Sequence, residues 1–188
     1  MGENMNIIKP ALLKNGDTIG ILAPSGAMDN DTNLKRGISF FEKRGFKVKL
    51  ADNIYSSNRY LAGSDKERLD AIHKMFSDKS INAIICLRGG YGAIRLINQI
   101  DYNVIRENPK IFCGYSDITA LNVMFLKRAG LSTYSGPMIM SDFGQENLCD
   151  YTINKFFQTV QEGKFDYEGK FWGGNLSTLV SLCGQDFI

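Results

Sequence analysis

The sequence predicts an α/β domain over residues 18–140, a parallel sheet covered by helices. Two observations predict it. Short apolar runs alternate along the chain with segments whose apolar residues recur at helical spacing. The runs are also apolar on both faces, as strands must be when helices cover a sheet on each side.

The elements follow in order. Asn15-Gly16-Asp17 is a turn signal, residues 18–23 form the first strand, and Pro24-Ser25-Gly26 breaks it. Residues 33–44 form a helix with Leu34, Ile38 and Phe41 on one face and Gly45 as its stop. Residues 46–50 alternate as a second strand ending at Asp52-Asn53. Ser64-Asp65-Lys66-Glu67 matches a capping box and opens a helix with the stripe Leu69, Ile72 and Phe76. The third strand, 82–87, runs directly into Arg88-Gly89-Gly90-Tyr91-Gly92, and a helix carrying Ile94 and Ile97 follows. After the Asn108-Pro109 break, Ile111-Phe112-Cys113 is the fourth strand. Ile118, Leu121 and Phe125 then set a helix closed by Gly130, and 132–135 reads as a weaker fifth strand. Residues 147–161 form a further helix with Leu148, Thr152, Phe156 and Val160 in register. The text then becomes glycine-rich and aromatic, so 1–162 is expected as one domain and 163–188 as the beginning of a second.

Composition narrows the class. A chain of 188 residues, 44% hydrophobic and 22% charged, can bury a core, and a net charge of +2 gives no case for nucleic acid or an anionic membrane. No apolar run reaches the length of a membrane span and no signal-peptide core opens the chain, so a cytoplasmic protein is expected. Cys86, Cys113, Cys149 and Cys183 are scattered, mostly in apolar runs, and read as reduced core residues. No zinc-ligand spacing is present and His73 is the only histidine, so neither metal nor cofactor is expected.

Ligands of open α/β sheets gather outside the carboxyl ends of the strands. Three loops qualify: 23–26, 88–92 and 114–117. In the last, Gly114-Tyr115-Ser116-Asp117 joins strand to helix without slack, which fits either a nucleophile elbow or a serine capping the helix. The spacing leaves both open. Gly89, Gly90 and Gly92 allow close backbone approach and can offer N–H groups to an anion. A dinucleotide fingerprint and a P-loop are absent, and Asp52 fits turn chemistry better than a ribose contact. Ser25 is a second, weaker nucleophile candidate. His73 falls on the flank of a buried helix face and reads as structural. Arg88 is suited to a carboxylate or to a solvated strand end, and Trp172 to stacking on a ligand or to the core of the second unit; the residues alone leave both open. A serine nucleophile needs a base, and no histidine lies downstream of Ser116.

Four stretches in order resemble the serine LD-carboxypeptidases, the murein tetrapeptide carboxypeptidases with their microcin-resistance relatives. They are Leu87-Arg88-Gly89-Gly90-Tyr91-Gly92; Asn108 to Ile111 continuing through Gly114-Tyr115-Ser116-Asp117 to Leu121; Gly136-Pro137-Met138; and Gly173-Gly174-Asn175-Leu176-Ser177. The resemblance implies a Rossmann-like N-terminal domain followed by a smaller β-rich domain that is truncated here. It makes Ser116 the nucleophile, with backbone donors to the oxyanion at Gly89, Gly90 and Asp117, and leaves Arg88, Tyr91 and Trp172 as substrate-binding candidates. The family's triad is Ser-Glu-His, and its Glu and His belong to the second domain, so this chain alone is expected to be inactive. Ser135 departs from the histidine that many relatives carry. The implied substrate is a peptidoglycan-derived tetrapeptide, the implied reaction removal of its terminal D-alanine, and a homodimer is compatible with it. A microcin-type peptidyl-nucleotide amidase and a non-catalytic peptide-binding domain are the alternatives.

Overall fold

The structure, a computed structural model, describes residues 7–164 and 174–183. Four strands form one sheet: β1 (Thr18–Leu22), β2 (Lys47–Leu50), β3 (Ala83–Cys86) and β4 (Ile111–Cys113). Their order is β2-β1-β3-β4 and every pairing is parallel, with Ile19 opposite both Val48 and Ala83, and Ile84 opposite Phe112. The helices are α1 (Asp31–Glu42), α2 (Asp65–Ser77), α3 (Tyr102–Glu107), α4 (Thr119–Ala129), α5 (Asp150–Glu162) and α6 (Leu176–Leu182).

Strand alternation sorts the core into two layers. Ile84 and Cys86 of β3 face α2, α3 and α4 through Ile72, Phe76, Ile105 and Phe125. Ala83 and Ile85, one residue out of phase, face α1 and α5 through Leu34, Phe41 and Phe156. The second layer is an aromatic cluster in which Phe41 lies 4.7 Å from Phe143, and Phe143 5.1 Å from Phe156. Burial of such rings on both faces is what the apolar runs foreshadow.

Local signals set several boundaries. The capping box forms as expected: Glu67 N donates to Ser64 Oγ at 3.2 Å, and Ser64 N donates to the Glu67 carboxylate at 2.8 Å. Gly130 closes α4 in the left-handed region at φ 73. α1 begins two residues before the expected helix because Asn30 caps it, accepting from Thr32 N at 2.9 Å.

Three expectations are corrected. The helix around Ile94 and Ile97 is only a 3₁₀ turn, Ala93–Arg95, and the helical segment begins later, where Asp101 caps α3 by accepting from Asn103 N at 3.0 Å. The fifth strand at 132–135 is a single parallel bridge between Tyr134 and Cys113. Cys149 and Cys183 are exposed, whereas Cys86 and Cys113 are buried; all four thiols are free. Among the described residues no helix is long and apolar enough to cross a membrane.

Candidate active site

The carboxyl ends of β1, β3 and β4 carry the three loops, and the structure brings them together. β4 ends at Cys113, and only Gly114 and Tyr115 separate it from the 3₁₀ turn Ser116–Ile118 that leads into α4. The reversal is too tight for ordinary dihedrals. Ser116 takes φ +61, one of two non-glycine residues with positive φ among those described. The left-handed region costs a side-chain-bearing residue about 1–2 kcal/mol, and such strain persists where the surroundings impose it. Ser116 is the first residue of the turn rather than its cap, and the cap position, Tyr115, makes no side-chain cap bond. The geometry is that of an elbow.

Gly89 packs directly on this serine. A methyl built on Gly89 would lie 3.0 Å from Ser116 Cβ, 3.1 Å from its Oγ and 3.6 Å from the Asp117 amide nitrogen. Any side chain at Gly89 would press on the nucleophile candidate, so glycine eases the close approach of the two loops. Gly90 follows at φ +139. The three residues border an open cavity of about 350 Å³, whose wall also includes Arg88, Tyr115 and Met140. Met140 comes from a π-helical segment, Ile139–Phe143, which is tied to the glycine loop through Met140 N donating to Leu87 O at 2.9 Å.

The remaining candidates divide. Arg88 borders the cavity and is ion-paired with Asp29, which borders it too. Tyr91 points outward, 65% exposed, its ring 6.5 Å from that of Tyr60. Trp172 lies outside the described residues. Ser25 is fully buried and donates to the Asp117 carboxylate at 2.6 Å, so its hydroxyl is engaged rather than free to attack. His73 Nε2 accepts from the Asp101 amide at 2.9 Å, which commits that nitrogen to the start of α3. Asp52 lies in a turn and pairs with Lys74 at 2.6 Å.

Two residues that sequence reasoning passed over hold the loops in place. Arg68 is wholly buried and donates to Pro24 O at 2.9 Å and Gly92 O at 3.0 Å, tying the β1 and β3 loops to α2. Its charge is matched by Asp65 at 2.5 Å, and Arg95 also pairs with that carboxylate at 2.7 Å. The Arg95 hydrogen bonds, followed by those from Arg68, hold the Asp65 carboxyl below the usual carboxylate range. A signal existed: Arg68 stands four residues before Ile72, on the stripe of α2. Asn122 donates to Gly114 O at 2.8 Å and so braces the elbow from α4. Among the described residues no three His, Cys, Asp or Glu side chains gather to hold a metal ion.

Comparison with known proteins bears on these loops directly. The sequence profile of the LD-carboxypeptidase N-terminal domain matches residues 19–136, which contain all three. A probable murein peptide carboxypeptidase of Bacillus subtilis is 39% identical over 95% of this chain and 60% of its own length. A crystal structure of muramoyltetrapeptide carboxypeptidase from Oxalobacter formigenes superposes with a TM-score of 0.79 at 32% identity, covering 89% of this chain and 60% of that one. The microcin C7 self-immunity protein MccF of Escherichia coli is 28% identical over 92% of this chain and 64% of its own. MccF in complex with aspartyl sulfamoyl adenosine superposes with a TM-score of 0.85 at 27% identity, covering 94% of this chain and 66% of that one. The chain thus spans less than two thirds of the curated relatives it matches first.

Proposed function

The chain belongs to the LD-carboxypeptidase N-terminal domain family, and we propose that it is the nucleophile-bearing part of a serine peptidase that removes the terminal D-alanine from murein tetrapeptides. The observation that carries this reading is Ser116, held at φ +61 on an elbow that borders an open cavity.

In the proposed reaction, Ser116 Oγ attacks the carbonyl of the L-configured centre that is bonded to D-alanine. The oxyanion is received by backbone N–H groups of the Gly89–Gly90 loop and of Asp117, where a single donor is worth a factor of about 10²–10³. The proton passes to a base and then to the departing amine, and water releases the acyl group. His73 is the only histidine of the chain and its Nε2 is committed to Asp101. The family resemblance assigns the base to a histidine, oriented by a glutamate, in a second domain. Arg88, anchored by Asp29, keeps guanidinium donors for the terminal carboxylate of the substrate. A role in recycling murein peptides would go with a cytoplasmic location.

The likeness to MccF with its aspartyl sulfamoyl adenosine supports a second reading, a peptidyl-nucleotide amidase built on the same serine. The test offers both substrates to the enzyme that carries this chain. D-alanine release that Ser116→Ala abolishes supports the carboxypeptidase. Cleavage of the aminoacyl nucleotide alone supports the amidase, and binding of tetrapeptide without cleavage of either means a binding domain.

A further inference from the structure

We propose that the dipeptide Ser25-Gly26 is the template that sets both halves of the oxyanion site, with Ser25 and Asp117 as positioning residues. This rests on the reading of Ser116 as nucleophile and deepens it.

One half runs through the Asp117 side chain. A single carboxylate oxygen of Asp117, Oδ2, accepts from Ser25 Oγ at 2.6 Å and from Ala93 N at 2.8 Å. Ser25 stands 92 residues before Asp117 and is fully buried, and Asp117 is 5% exposed. The carboxylate belongs to the same residue whose N–H is assigned to the oxyanion, one position after the nucleophile. Fixing that side chain from two other loops therefore fixes the direction of its backbone. Charge-assisted hydrogen bonds in a dry site are the strong kind, and this pair binds the β1, β3 and β4 loops at one atom.

The other half runs through the glycine loop. Gly26 N donates to Gly89 O at 3.2 Å. The Gly89–Gly90 peptide is trans, since no cis bond occurs among the described residues, and a trans peptide points its C=O and N–H in opposite directions. Holding the Gly89 carbonyl toward Gly26 therefore turns the Gly90 N–H away from that loop, and Gly90 borders the cavity. The fit is close: a methyl on Gly90 would lie 3.1 Å from both Gly26 Cα and Gly26 N, and 3.3 Å from Ser25 Oγ. Ser25 is itself anchored, its carbonyl accepting from Ala62 N at 3.0 Å.

This role separates Ser25 from an ordinary buried hydroxyl. A merely structural serine, once replaced, lowers stability and leaves turnover by the folded fraction unchanged. A template residue lowers kcat and leaves substrate binding intact. In the active enzyme, Ser25→Ala is expected to lower kcat by about tenfold, in line with the sensitivity of catalysis to displacement of positioned groups, with KM altered by less than about twofold. Because one oxygen takes both bonds, Asp117→Asn can place its amide oxygen there and is expected to keep far more activity than Asp117→Ala. A second readout needs no turnover: in the 188-residue chain, Ser25→Ala should displace the amide resonances of Asp117 and Gly90 from their parent positions. A kcat within twofold of the parent, Asp117→Asn as impaired as Asp117→Ala, or unmoved amide resonances would each overturn the proposal. If the parent enzyme releases no D-alanine, the functional reading fails, and the amide resonances alone decide the positioning.

Discussion

Replacing Ser116 by glycine should stabilise the protein, against the usual effect of glycine. At φ +61, serine bears the left-handed strain of about 1–2 kcal/mol, and glycine relieves it. Against this stands the greater freedom of glycine in the unfolded chain, about 0.4–1 kcal/mol. The net is a gain of about 0.5–1 kcal/mol, since Ser116 is not a cap whose loss would add a further cost. For a chain of this size that corresponds to a rise in Tm of about 1–4 °C. Ser116→Ala keeps the Cβ and the strain, so it should fall below Ser116→Gly by about the same margin. Urea and thermal unfolding of the parent and both variants measure the order. If Ser116→Gly were less stable than Ser116→Ala, the serine would sit in unstrained backbone and the elbow would be lost as an explanation.

Three other perturbations follow from the same contacts. Gly89→Ala drives a methyl to 3.1 Å from Ser116 Oγ, and D-alanine release should fall by at least about 10²-fold, the value of one oxyanion donor, with the circular dichroism spectrum unchanged. Arg68→Ala removes the buried donor of the Pro24 carbonyl and one of two donors to the Gly92 carbonyl, which keeps Arg95 N at 3.2 Å; with about 1.5–3 kcal/mol for each hydrogen bond from a charged group, urea unfolding should show a loss of about 3–6 kcal/mol. Asp65 has its folded-state pKa below the ordinary value of about 3.9, so its ionised form is favoured by the fold. Its contribution is present above that value and is lost as pH falls through the folded pKa. Stability of Asp65→Asn should accordingly decline less than that of the parent on acidification below about pH 4.

Most of the sheet was legible because three of its strands obey one simple rule. β1, β3 and β4 are buried on both faces, so their sequences are apolar without alternation. The α2 terminus was legible because a capping box is local chemistry between Ser64 and Glu67. What failed was competition between local signals. Ile94 and Ile97 have helical spacing, yet Gly92 at φ +128 and the cap at Asp101 divide the segment into a 3₁₀ turn and a later short helix. At 132–135 the β4 edge is met by Tyr134 alone, so an extended stretch makes one bridge and no strand. In the site, the tight spacing between β4 and α4 pointed to Ser116, but its positive φ is visible only in three dimensions. Ser25 was legible only as a rival nucleophile, because the bond that gives it another role joins residues 92 positions apart. Arg68 sat in plain view on the stripe of α2; a charged residue there reads as solvated until its carbonyl partners, Pro24 and Gly92, are known.

The central claim, that Ser116 is the nucleophile of an acyl transfer, is tested most directly by trapping the covalent adduct. The active enzyme is treated with a fluorophosphonate, digested and mapped by mass spectrometry, with and without murein tetrapeptide present. The account predicts one modified residue, Ser116, with labelling slowed by the tetrapeptide and absent in Ser116→Ala. Phosphonylation of any other serine, with D-alanine release surviving in Ser116→Ala, would contradict it.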